Sequence, residues 1–210
     1  MSKAKIIIAT FIAALALSAV ASASASAAGW MVNGAEITKA EALATTAKVT
    51  KNGELTASGV TIECNGSTLD GTTPQIEDTN KGSAGSLIFL GCKSITANCS
   101  ISKTEIGTVP IIVEATLEGA TGVSASFTPK TGTIFTTIKY EGAECALLGV
   151  KPVTGKAKVT DSKGKEESVT QEIVANVTEA SKELKVGSSG ASLKGAAQLK
   201  LANSEPWSLL

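Results

Sequence analysis

The chain contains no histidine and no arginine, so all 19 of its basic residues are lysine, and they stand against 19 acidic residues. Aromatic residues make up only 3% and charged residues 18% of the 210 positions. Each shortage excludes something. Without imidazole the commonest general base, the usual activator of a nucleophile and the commonest metal ligand are missing, which removes most hydrolase and zinc-site designs. The expectation is a protein that is not an enzyme and needs no cofactor. Without guanidinium there is no bidentate fork for phosphate or guanine, and a formal charge of zero exerts no long-range pull on a polyanion, so no nucleic-acid partner is expected. Few aromatics also argue against a sugar-stacking platform and against the aromatic girdles of an outer-membrane barrel.

What is present begins with a leader pattern. Lys3 and Lys5 precede the apolar run Ile6 to Val20, and Ala21 to Ala28 alternate alanine with serine. This reads as a secretory signal peptide, residues 1–27, with Ala25 and Ala27 at the small-residue positions of the cleavage site. The rest, 28–210, is expected to form a single β-rich domain. Removing the leader takes two of the 19 lysines, leaves a balance of about −2, and implies no strong electrostatic partner. About 180 residues would bury about 70% of the unfolded chain's surface. No second apolar run is long enough to span a membrane, and none of the four cysteines is near the cleavage site to carry a lipid. The expected location is extracellular, released or retained at the cell surface.

Four cysteines in an exported chain favour two disulfides over a metal site. Cys92 and Cys99 flank the short polar segment Lys93 to Asn98, so a nested pairing is preferred, Cys92 with Cys99 and Cys64 with Cys145. No pair has the C-x-x-C spacing of a redox site.

Short runs rich in Val, Ile and Thr alternate apolar with polar residues and stop at Gly or Asn, predicting an all-β fold, an antiparallel β-sandwich or barrel with little helix and roughly ten to fourteen strands. Ile111, Val113, Ala115 and Leu117, followed by Val123, Ala125 and Phe127 after the Gly119 to Gly122 turn, read as a hairpin. Val60, Ile62 and Cys64 form another alternating set. Ser86 to Cys92 is almost continuously apolar and is expected at the centre of the core, covered on both faces. Asn33-Gly34, Asn52-Gly53 and Asn65-Gly66 carry hairpin-turn signals. Thr38 to Thr46 has the composition for two helical turns, Val174 to Leu184 reads as either helix or edge strand, and Asp70 to Ser86 is the most loop-like stretch.

Three motifs fail on inspection. Gly149 to Lys156 has one residue too many between its glycines for a phosphate loop, and Ala157 replaces the magnesium-holding hydroxyl. Asp78 to Gly82 begins like a calcium loop, but Ser83 and Phe89 occupy positions that need glycine and glutamate. Asp70, Glu77, Asp78, Glu141 and Glu144 are carboxylates with no pattern that pairs them for glycoside hydrolysis.

The succession Trp30-x-Val32-Asn33-Gly34, Val60-x-Ile62-x-Cys64, Ile88-x-Leu90-Gly91-Cys92, Cys99, then Phe127-x-Pro129 to Phe135 and Cys145 resembles a group of small exported four-cysteine proteins of high-GC Gram-positive bacteria. The resemblance implies location and a β-rich fold, and supplies no catalytic or binding residue. Two functions follow as expectations. The first is a structural or protein-binding module of the cell envelope or extracellular space, its partner an envelope or extracellular protein. The second is a carrier of a small apolar ligand in a β-barrel cavity lined by residues such as Leu87, Phe89, Ile111, Val113 and Ile134. Sequence alone names neither partner nor oligomeric state.

Overall fold

The computed structural model describes residues 29–210, apart from 37–40, 43–44, 71–74, 79, 119–121, 162–165, 202 and 210. The leader, 1–27, lies outside the described residues. Nineteen strands and one 3-10 turn, Glu179–Ser181, form the described secondary structure. The fold is all-β and antiparallel, a sandwich-like arrangement of sheets and not a closed barrel.

The long wall mixes hairpin neighbours with long-range pairings. Strand β8 (Lys81–Leu90) pairs with β11 (Ile106–Glu118), β11 with β12 (Gly122–Pro129), and β12 with β15 (Ala157–Asp161). The wall continues through β16 (Thr170–Val177), β18 (Ser189–Leu201), β4 (Thr45–Ala57) and β5 (Val60–Cys64). Three short strands extend β8: β6 (Gly66–Asp70), β7 (Gln75–Asp78) and, beyond β7, β3 (Glu41–Ala42); β9 (Lys93–Ser94) pairs with β5. A second face consists of β10 (Ser100–Ile101), β13 (Ile134–Glu141), β14 (Gly149–Gly155) and β17 (Leu184–Val186), joined to the start of β18. A separate small sheet holds β2 (Ala35–Glu36), β1 (Trp30–Val32) and β19 (Trp207–Leu209).

The predicted β11–β12 hairpin is present, with Val113 opposite Phe127 and Leu117 opposite Val123. Its alternation does what period two requires, burying Ile111 and Ala115 while Glu114 faces solvent. The Asn33-Gly34 turn also forms, both residues at positive φ between the paired Val32 and Ala35. Pro110 sits where the β8–β11 register shifts, a position that tolerates a residue without an N–H.

Several sequence expectations are corrected. Asn52-Gly53 is no turn; it lies inside β4, whose long ladder to β18 overrides the local signal, and Gly53 stands opposite Cys64. The tight turn falls at Ser58-Gly59, where φ is 49° and 76° and Ala57 pairs with Val60. Asn65-Gly66 makes a bend and no hairpin, because β5 pairs with β4 while β6 pairs with β8. The described part of Thr38 to Thr46 is strand, since edge pairing to β7 and β18 supplies hydrogen bonds that two isolated helical turns could not match. Val174 to Val177 completes β16, which is flanked on both sides and is no edge. Asp70 to Ser86, read as loop, contains β7 and half of β8.

The cysteine pairing is the clearest correction. Cys64 joins Cys92, and Cys99 joins Cys145. Register explains it: β5 and β9 pair Ile62 with Ser94 and Glu63 with Lys93, and the next step of that ladder sets Cys64 against Cys92. Cys99 leads into β10, which pairs with β13, and a turn closed by Cys145 N–H to Gly142 O returns Cys145 to the same corner. Cys92 and Cys99 are drawn to different neighbours.

Candidate functional site

The interior between the two faces is not filled. A cavity of about 370 Å³ runs through it. Val49 and Leu55 of β4, Leu87 and Phe89 of β8, Ile111 and Val113 of β11, Phe135 and Ile138 of β13, Ile173 of β16 and Leu193 and Leu199 of β18 supply its walls. Leu193 and Leu199 lie six residues apart on one strand, so the lining extends about 20 Å along β18 at about 3.3 Å per residue. Four of the five residues anticipated for a pocket are therefore on its wall. Ile134 is not; it is 44% exposed and borders a surface depression with Val109. A register shift between Ile134 and Thr136 turns Phe135 inward in its place.

This explains why Ser86 to Cys92 is not the centre of the core. Leu87 and Phe89 are only half-buried because they face open space, and Ile88 and Leu90 on the other side of β8 are also half-buried. The most deeply buried residues include Ile62, Cys92, Tyr140, Leu184 and Val186, with a smaller cluster of Ala115, Val123, Ala125 and Val159; Ile62, Leu184, Ala125 and Val159 also border the cavity.

The wall is almost wholly apolar. Thr108, one of its hydroxyls, is already engaged: Oγ1 accepts the Leu87 N–H at 2.9 Å and donates to Val109 O at 2.8 Å. Lys51 and Lys194 touch the cavity near the irregular stretch of the β4–β18 ladder but are exposed to solvent. Such a wall offers water too few partners to hold it well. The space is partly open to solvent, so its apolar wall is surface that an apolar group could cover favourably.

One end of the cavity is made by Trp30 and Trp207. Their positions are fixed by the small sheet, in which Val32 pairs with Trp207 and Trp30 with Leu209. That sheet is tied to the long wall: Trp207 and Ser168 exchange backbone hydrogen bonds of 3.1 Å, Gln171 Nε2 donates to Trp207 O, and the Glu167 carboxylate accepts the Gly34 N–H at 2.9 and 3.0 Å. The indole centroids are 6.3 Å apart with planes tilted 32°. Both Nε1–H groups are buried and have no hydrogen-bond partner among the described residues. An orphaned buried polar atom costs about 1–3 kcal/mol, and the two indoles share that condition with Gln171 Oε1 and Ser208 Oγ at the same join between the sheets. The sequence shows that aromatics are scarce but could not bring together Trp30 and Trp207, which lie at opposite ends of the described chain.

The carboxylates considered as candidate acids are dispersed where described. Glu141 pairs with Lys139 at 2.8 Å, and Glu144 accepts from Asn98 Nδ2 at 2.7 Å. Among the described residues no cluster of three Cys, Asp or Glu could hold a metal ion. No helix among them is long and apolar enough to cross a membrane. Comparisons with protein-family models, with curated proteins and with solved structures gave no match to this chain.

Proposed function

We propose that this chain is an exported, non-enzymatic carrier that holds a small apolar ligand in its interior. The carrying observation is the apolar cavity of about 370 Å³, which falls within the range of about 300–1,000 Å³ occupied by small-molecule sites. A purely structural or protein-binding module would do better with that space packed, so the geometry favours the carrier over the module. Export is supported by the leader pattern of residues 1–27 and is consistent with two disulfides. The architecture modifies the expected carrier in one respect: the ligand would sit between facing sheets and not inside a closed barrel.

Titration with a neutral, polarity-sensitive dye such as Nile red tests the reading. Saturable one-site binding, with a rise in the unfolding temperature as the dye is added, is the expected result. Absence of saturable binding by the oxidised protein would remove the carrier.

A further inference from the structure

We infer that the ligand is an amphiphile, an apolar chain ending in a monoanionic head such as a carboxylate, and that Lys51 attracts the head where the cavity meets solvent. The inference rests on the carrier reading and adds the chemistry of the ligand's polar end. Lys51 belongs to the inward series of β4: Val49, Lys51, Gly53 and Leu55 line the cavity, and the alternate residues Thr50, Asn52 and Glu54 do not. It is nonetheless exposed, as a lysine is when its stem follows an apolar rim and its ammonium stays in water. Lys194, which also borders the cavity and is exposed, lies across the same irregular stretch of the β4–β18 ladder.

The sign of the head follows from the charges at the rim. Among the described residues that line the cavity, these two lysines carry charge and no Asp or Glu is present, although the chain as a whole has as many acids as bases. The acids of this region lie on the outer face of the wall. Glu172 accepts from Thr50 Oγ1 at 3.2 Å, Glu63 accepts from Asn52 Nδ2, and Glu54 stands opposite both Glu63 and Lys194. The Lys51 ammonium forms no ion pair or hydrogen bond with another described residue. An anion drawn wholly into the apolar interior would be strongly disfavoured, whereas a head kept at the rim stays hydrated and gains the attraction of the ammonium. Only the chain then enters, and its burial supplies most of the affinity. A cationic head would meet two like charges.

Competition against bound Nile red at neutral pH with three probes of equal chain length, dodecanoate, dodecanol and dodecyltrimethylammonium, each kept below micelle formation, tests this. At low salt dodecanoate is expected to bind about fivefold more tightly than the cation, the worth of an exposed ion pair, and the gap should narrow at high salt. Lys51→Met, which keeps an apolar stem, should bring the two within about twofold, and Lys51→Glu should invert their order. Dodecanol binding should stay within about twofold of the wild type in both variants, which shows that the cavity is intact. The wild-type comparison and its salt dependence stand even where a variant folds poorly. Equal affinity of the wild type for anion and cation, or a preference for the anion that survives in Lys51→Glu, overturns the inference and leaves the carrier intact. Failure of the dye itself to bind overturns both.

Discussion

Gly155 is where the chain passes from one face of the sandwich to the other, with only Lys156 between β14 and β15. Its φ of 102° is closed to most side chains, and a methyl group there would overlap the Glu183 carbonyl oxygen. That oxygen cannot move freely, because it accepts the Lys156 N–H at 2.9 Å. Gly155→Ala should cost about 3 kcal/mol or more in urea unfolding, whereas Gly59→Ala, with φ 76° and nothing within 4 Å of its Cβ, should cost about 1–2 kcal/mol. Equal losses at the two sites would refute the steric account. Tyr140, the only tyrosine, is 2% exposed, and burial pushes its phenol from 10.0 up to about 12. Below the ordinary value both folded and unfolded forms are protonated. Between 10 and 12 the unfolded chain binds fewer protons than the folded one, so this residue's contribution to stability falls as pH rises through that window. Phenolate absorbance should therefore have a midpoint near 12 in the native protein and near 10 in denaturant.

Strand pairing, more than cysteine spacing, governs the cross-links. The Cys64–Cys92 bridge extends the β5–β9 ladder and closes a separation of 28 residues; Cys99–Cys145 closes 46. In the chain-entropy model these are worth about 3.6 and about 4 kcal/mol. Peptide mapping without reduction should recover the 64–92 and 99–145 linkages, and a 92–99 linkage would contradict the register. Replacing Cys64 and Cys92 together by alanine should lower stability by about 3 kcal/mol, read from urea unfolding with the slope fitted separately, which should steepen as the unfolded chain expands. Local signals were reliable where neighbouring strands pair directly, as in the β11–β12 hairpin. They failed at Asn52-Gly53 because long-range pairing to β18 outweighs a turn preference worth only a fraction of a kcal/mol.

At the scale of the whole molecule, the ratio of wall to filling is the decisive quantity. Ala175 on β16 faces the cavity and is half-buried, so Ala175→Leu adds carbon to empty space. It should stabilise the unliganded protein by about 1 kcal/mol, at about 0.8 kcal/mol per buried methylene less the ordering cost, and should weaken dye binding. In a filled core the same change would cost about 1–3 kcal/mol, so the sign of the shift in unfolding temperature separates the two cases. A ligand at about a hundred times its dissociation constant should add about 2.7 kcal/mol to the wild type and less to this variant.

The sequence by itself determined the class of fold. Alternating Val, Ile and Thr runs permit only a pleated surface with one face turned inward, and sets such as Val60, Ile62 and Cys64 do turn inward as read. It also placed Leu87, Phe89, Ile111 and Val113 on the inner side. Only the tertiary structure decided what that side meets. Period-two patterning records which way a side chain points but not the distance to the opposite wall, so a packed core and a ligand cavity have the same signature in one dimension. Cysteine partners and the meeting of Trp30 with Trp207 depend on which distant strands pair, and that is settled by the summed hydrogen bonding and burial of the whole sheet path.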